Sequence, residues 1–207
     1  MPPEKSIERL SVYRRLLYDL HQKGERKIFS HQLASLAGRT SAQVRRDIMN
    51  IGYTGSPSRG YDIANLVDSI SEVLDTPLGQ GVALVGVGNL GRALLAYFSD
   101  RRPRLKIVAA FDNNPDRTGR VIHGCRCYLV EELAEVVNKE EITVGILTVP
   151  AEAAQIIAEQ MYGAGIRGIL NFAPVPIAAP RDMYVESMDV TMALEKVAYF
   201  ARQQNEE

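Results

Sequence analysis

With 207 residues, 46% of them apolar and 24% charged, the chain can bury two small cores, and this composition argues against disorder. No apolar run approaches the roughly 20 residues that span a bilayer, and Met1-Pro2-Pro3-Glu4 does not open a signal peptide, so a soluble, cytoplasmic protein with no membrane partner is expected. The formal charge of −1 conceals an asymmetry, because residues 1–64 hold eleven Lys and Arg against six Asp and Glu, a balance suited to meeting a polyanion.

In chain order, Ile7, Leu10, Tyr13, Leu17 and Leu20 recur at helical spacing and predict a helix over 7–22, stopped at Lys23-Gly24. "SHQLASLAG" predicts a second helix with Ser30 as N-cap and Gly38 as C-cap, and "TSAQVRRDIMNI" a third, capped by Thr40 or Ser41. Only about three residues separate these two, the spacing of a helix–turn–helix. "GYTGSPSRGYDI" reads as a glycine-rich hairpin, completing the order of a winged helix. A helix over 65–76 and a seam at "PLGQG" follow. Beyond the seam, strands at 82–86, 107–112, 143–148 and 168–172 alternate with helices at 89–99, 130–138 and 151–164, as in a parallel sheet covered on both faces. A last amphipathic helix over about 189–204 carries Leu194, Val197, Ala198 and Ala201 on one side.

Gly86-Val87-Gly88-Asn89-Leu90-Gly91 fits the pattern G-x-G-x-x-G. The first glycine permits the tight turn, the second admits a pyrophosphate close to the backbone, and the third lets the helix pack on the strand. Phosphates suit the N-terminus of the following helix, where N–H groups lack partners. Asp112 ends the next strand 21 residues after Gly91, where a carboxylate accepts the ribose hydroxyls and repels a 2′-phosphate. Asn113 follows it, with no Arg before Arg117, so NAD(H) is favoured over NADP(H). The alternative is that Asp112 caps a turn before Pro115.

Within "AQVRRDI", Val44 and Ile48 should face the core while Gln43, Arg45 and Arg46 project outward. Gln and Arg suit base edges and phosphates, and Arg59 on the hairpin could reach phosphate or the minor groove. With Ser41 these are the candidate DNA contacts; a solvated basic face is the alternative. Palindromic operators are read by two-fold dimers, so a homodimer on double-stranded DNA is expected. Cys125 and Cys127 form a Cys-x-Cys pair too short for a relaxed disulfide and are read as structural.

The segments "SAQVRRD", "VGVGNLGRAL", "FDNNPDRTG", "ILTVPAEAAQ" and "GIRGILNFAPV" together resemble the Rex family of redox-sensing transcriptional repressors, in order and spacing, over nearly the whole chain. The resemblance implies an α/β protein with a winged-helix DNA-binding domain at 1–78, a Rossmann-like NAD(H) domain at 79–188, and a C-terminal helix at 189–207. It implies that Val190 to Gln204 is swapped into the partner of a dimer, which represses genes of fermentation and respiration and leaves DNA when NADH accumulates. By the same resemblance Thr148-Val149-Pro150 and Asn171-Phe172-Ala173-Pro174 line the cofactor cleft. One segment departs from the family: in the wing, the usual basic residue and following Gly are replaced by Pro57 and Ser58, with Arg59 after them.

The nucleotide is expected to act as a ligand that is not consumed. A dehydrogenase needs a residue to move a proton, and of three histidines two lie in the basic front, leaving only His123 in a glycine-flanked loop. The alternatives are a small NAD-dependent oxidoreductase with a helical appendage, and a CoA-binding module. NADH is uncharged at the nicotinamide whereas NAD⁺ is positive there, so a dry cleft favours the reduced form. Tyr97, Tyr199 and Phe200 are candidates for closing that cleft, and an Arg15–Asp189 pair is a candidate latch.

Overall fold

Apolar residues spaced three and four apart bring Leu10, Tyr13 and Leu17 to one fully buried stripe of α1 (Glu4–Gln22). The computed structural model describes residues 3–56, 58–99 and 104–203, so Pro57 of the wing and Gln204 of the last helix lie outside the described residues. The chain divides into two units, Met1–Pro77 and Leu78–Glu207.

In the first unit α2 (Ser30–Ala37) ends at Gly38, whose φ of +61° is the left-handed conformation that glycine adopts without strain. Three residues later α3 (Ser41–Asn50) begins, with Thr40 Oγ1 accepting the Gln43 N–H at 3.2 Å. Leu33 of α2 and Val44 and Ile48 of α3 meet the α1 stripe, and α4 (Ile63–Leu74) adds Ile63, Leu66 and Ile70.

Several expectations are corrected here. Ser30 is the first helical residue rather than the cap; Phe29 precedes α2, and its N–H donates to Gln32 Oε1 at 2.8 Å. Helix α4 starts at Ile63, not 65, because Asp62 Oδ1 accepts the Asn65 N–H at 3.1 Å. The glycine-rich segment is not a self-contained hairpin. Among the described residues its own two arms are joined by a bridge between Ser56 and Gly60 and by contacts of Tyr53 with Tyr61 and Asp62, whereas the strand β2 (Tyr61–Asp62) pairs antiparallel with the distant β1 (Lys27–Ile28). That pairing buries Ile28 and Tyr61 in the unit's core, which a hairpin alone would leave wet.

The second unit holds a seven-stranded sheet in the order β5-β6-β4-β3-β7-β8-β9. The strands are β3 (Gln80–Val85), β4 (Leu105–Asp112), β5 (Val121–Ile122), β6 (Cys125–Leu129), β7 (Val144–Leu147), β8 (Gly168–Asn171) and β9 (Tyr184–Ser187). All neighbours run parallel except β5, which turns back on β6. Strands β5, β6 and β9 come in addition to the four that the sequence pattern predicts, and Gln80-Gly81 open β3 instead of belonging to the seam.

Alternation along the central strand feeds two cores. Val82 and Leu84 pack with Leu95 of α5 (Asn89–Phe98) and with Cys125 and Cys127 of β6. Ala83 and Val85 pack with Leu133 and Val137 of α6 (Leu133–Lys139) and Ala154, Ala158 and Met161 of α7 (Ala151–Gly163). Fully burying a side chain the size of Leu84 contributes about 1.5–3 kcal/mol, so each face is a substantial source of stability. The last helix, α8 (Val190–Gln203), is different: none of its described residues is buried.

Candidate dinucleotide site and nucleic-acid interface

Strand β3 leads to β4 on one side and neighbours β7 on the other, so the order reverses at β3 and a crevice opens beyond its C-terminal end. The fingerprint occupies that place. Gly86 has φ +100°, and a Cβ there would lie 2.6 Å from the Thr148 carbonyl oxygen. The turn is stitched to both neighbours: the Gly86 N–H donates to Phe111 O at 2.8 Å, and the Thr148 hydroxyl donates to Gly86 O at 2.7 Å. Gly91 presses on the Gly86 carbonyl, leaving no room for a Cβ. Gly88 is the opposite case, with nothing within 4 Å of the Cβ it lacks. The first backbone bond of α5 runs from Arg92 N to Gly88 O, so the N–H groups of Asn89, Leu90 and Gly91 precede it and are not used in that ladder. An open glycine beside such donors fits a pyrophosphate.

Asp112 ends β4 and is 4% exposed. Its Oδ2 accepts the Val87 N–H at 2.7 Å and Arg117 Nη1 at 3.1 Å, and its Oδ1 accepts the Asn114 N–H at 2.8 Å. These bonds carry the capping role, the alternative reading of Asp112. It caps the turn before Pro115 and also places a carboxylate at the strand end beside the fingerprint. Arg117, the first arginine after Asp112, is the carboxylate's ion-pair partner. Asn113 is exposed next to it.

Thr148, Val149 and Pro150 follow β7, Asn171 ends β8 and Phe172 to Pro174 follow it, at the same end of the sheet as Gly86 and Asp112. Asn171 is buried and knots its loop, donating to Val175 O at 2.9 Å and accepting the Ala173 N–H at 2.9 Å. His123 is elsewhere. It lies in the β5–β6 turn at the N-terminal end of β6, and because β6 runs parallel to β4 this is the sheet end opposite the crevice. Cys125 and Cys127 are unpaired and buried, and burial pushes both thiols up to about 11.

In the first unit Arg45 and Arg46 of α3 are exposed, as is Arg59 in the wing turn between Ser56 and Gly60, while Ser41 and Gln43 are half-buried. Arg45 Nη1 donates to Ser30 Oγ at 3.2 Å. Gln43 does not simply project outward: its Nε2 donates to Asp47 Oδ1 at 3.0 Å. Asp47, only 1% exposed, also accepts from Arg9 Nε at 2.6 Å, Arg9 Nη2 at 2.7 Å and the Tyr13 hydroxyl at 3.1 Å. Burial alone would raise its pKa, but the hydrogen bonds from Arg9, Tyr13 and Gln43 prevail and hold the carboxyl below its ordinary range. Sequence reasoning missed this cluster. The available signal was Asp47's place between Val44 and Ile48 on the inward side of α3.

Of the coupling candidates, Arg15 is exposed on α1, and its neighbour Arg14 is the buried one, pairing with Asp75 at 2.8 Å. Tyr97, Tyr199 and Phe200 are all exposed, the last two edge to face at 5.3 Å. Asp189 caps α8, its Oδ1 accepting the Met192 N–H at 2.9 Å.

Residues 80–175 match the family model described as "CoA binding domain", and residues 3–48 the one described as "Putative DNA-binding protein N-terminus". A "Redox-sensing transcriptional repressor Rex" from Lactobacillus acidophilus is 38% identical over 204 residues, covering 99% of this chain and 97% of that one. Among solved structures, the Rex-family repressor RSP in complex with β-NAD⁺ and operator DNA superposes with a TM-score of 0.91 at 29% identity, covering 99% of this chain and 94% of that one. RSP in complex with β-NADH superposes with a TM-score of 0.85 at 28% identity, covering 99% and 96%.

Proposed function

The chain belongs to the Rex family of redox-sensing transcriptional repressors, and from that membership we propose that it binds operator DNA as a homodimer when NADH is scarce and is released when NADH binds. The observation that carries this reading is the presence, in one chain, of a helix–turn–helix with exposed arginines and a fingerprint turn with Gly88 open and Asp112 beside it. The protein is a regulator and not an enzyme, with NADH and NAD⁺ as ligands. The cytoplasm, where operator DNA and NADH meet, is its proposed location; among the described residues no helix is long and apolar enough to cross a membrane.

The residues divide by task. Gly86 to Gly91 would hold the pyrophosphate, Asp112 and Asn113 the ribose, and Thr148 to Pro150 with Asn171 to Pro174 the remainder of the dinucleotide. Ser41, Gln43, Arg45, Arg46 and Arg59 would meet DNA. The reduced nicotinamide supplies a neutral ring that a water-poor cleft accepts more readily than the cationic one. Release follows from linkage. If NADH binds better to the dimer state whose reading helices are misplaced, it weakens DNA binding by the factor by which DNA weakens NADH binding. Tyr97, Tyr199 and Phe200, and an Arg15–Asp189 pair, are the proposed groups that distinguish the two states. Asp189→Ala should therefore alter the NADH response, and an unchanged response would remove the pair from the mechanism.

The deciding experiment titrates NADH and NAD⁺ separately against the protein bound to its own upstream promoter DNA at fixed salt. Release by NADH at concentrations where NAD⁺ has little effect is expected. DNA binding indifferent to both would refute the sensor. The match of residues 80–175 favours a second reading, a CoA-binding module, and tighter binding of CoA than of NADH would support it.

A further inference from the structure

We infer that Asp47 is a positioning residue for base recognition: buried against α1, it fixes the side-chain amide of Gln43 in one orientation, so that Gln43 reads adenine. The inference rests on α3 being the DNA-reading helix. Gln43 is the third residue of α3, in the N-terminal turn that reaches base edges when such a helix docks in the major groove. A glutamine reads adenine only when its carbonyl meets the N6 amine and its N–H meets N7, so a free amide must first be held in the right rotation.

Asp47 does this holding. A carboxylate only accepts, so the group facing Oδ1 at 3.0 Å is the Gln43 NH₂ and the amide cannot be turned over without placing oxygen against oxygen. The carbonyl oxygen and one N–H remain for a base. Asp47 is itself immobilised, by two bonds from Arg9, one from Tyr13 and a longer one from Ser6 at 3.4 Å, all on α1. The backbone of Gln43 is fixed as well, through its N–H to Thr40. A chain of contacts thus runs from the core of the unit to a base-reading amide.

The test compares Q43A, D47N, Q43A/D47N and the charge-balanced pair R9Q/D47N with the wild type. The probes are short duplexes that the full-length wild-type protein selects from a randomised pool, each then substituted one base pair at a time at fixed salt. The wild type should discriminate about tenfold at one A·T pair per half-site. Q43A and D47N should both flatten discrimination at that same pair, and the double variant should be no flatter than Q43A. The pair R9Q/D47N removes both charges together, so it keeps the test alive if D47N alone does not fold. Asp47 variants that weaken every duplex by one common factor, with base preferences intact, would overturn the inference and leave Asp47 a packing residue. Flattening at a position other than that of Q43A would overturn it too. A wild type that selects no sequence yet binds NADH would refute the DNA reading itself, a failure distinguishable from either.

Discussion

Gly88 and Gly91 lie three residues apart in one turn, yet a methyl group added to each should do different things. At Gly88 it enters open space, so Gly88→Ala should change stability by no more than about 0.5 kcal/mol while weakening NADH on the order of tenfold. At Gly91 it meets the Gly86 carbonyl, so Gly91→Ala should cost about 1–3 kcal/mol in urea denaturation. Equal losses of stability, or undiminished NADH binding in Gly88→Ala, would contradict the assignment. The thiols give a second prediction at this scale. With both pushed up to about 11 and buried, Cys125 and Cys127 are almost wholly protonated at pH 8 and should react with a thiol reagent only as fast as the fold opens. Rapid labelling of the native protein would show that β6 does not shelter them.

Helix α3 is fixed to α1 by a charge cluster as well as by Val44 and Ile48, and this makes its anchorage sensitive to acid. Asp47 has a lowered folded pKa, so its contribution is fully present above the unfolded carboxylate value of about 4 and is lost as pH falls through the folded value. Asp47→Asn should therefore cost about 3 kcal/mol or more at neutral pH, and the gap from wild type should narrow below about pH 4. A gap constant with pH would mean that the carboxylate is not ionised in the fold. Elements of this kind divide into those written locally and those that are not. Helices α1, α3, α5 and α7 and the four apolar strands could be read from periodicity, because each pattern concerns one segment and one face. Strands β1 and β2 could not, since two residues each become strands only by pairing across more than thirty positions. Strand β6 alternates Cys and Arg and β9 is largely polar, so neither resembles a buried strand, and both belong to the sheet through their neighbours. The fingerprint and Asp112 were legible for the opposite reason, as fixed spacings. Arg117 and Asp47 were hidden because their meaning depends on what they touch.

Across the whole molecule, two ligands are coupled by a free energy that must be the same from either side. The factor by which saturating NADH weakens operator binding should equal the factor by which saturating operator weakens NADH binding, each measured at one salt concentration. Unequal factors would require a third partner or an additional state. The dimer has its own test. Leu194 and Val197 are exposed on α8, so Leu194→Glu/Val197→Glu should halve the mass seen by light scattering, and a mass unchanged from wild type would move the interface elsewhere. Val190, Met192, Leu194, Val197 and Phe200 give α8 an apolar surface that stays exposed among the described residues. If a second copy covers that surface, a newly made chain carries it bare until the two meet, and encounters between copies grow with the square of their number. Repression would then answer to abundance as well as to reducing power, and a cell that makes few copies would lift it by scarcity.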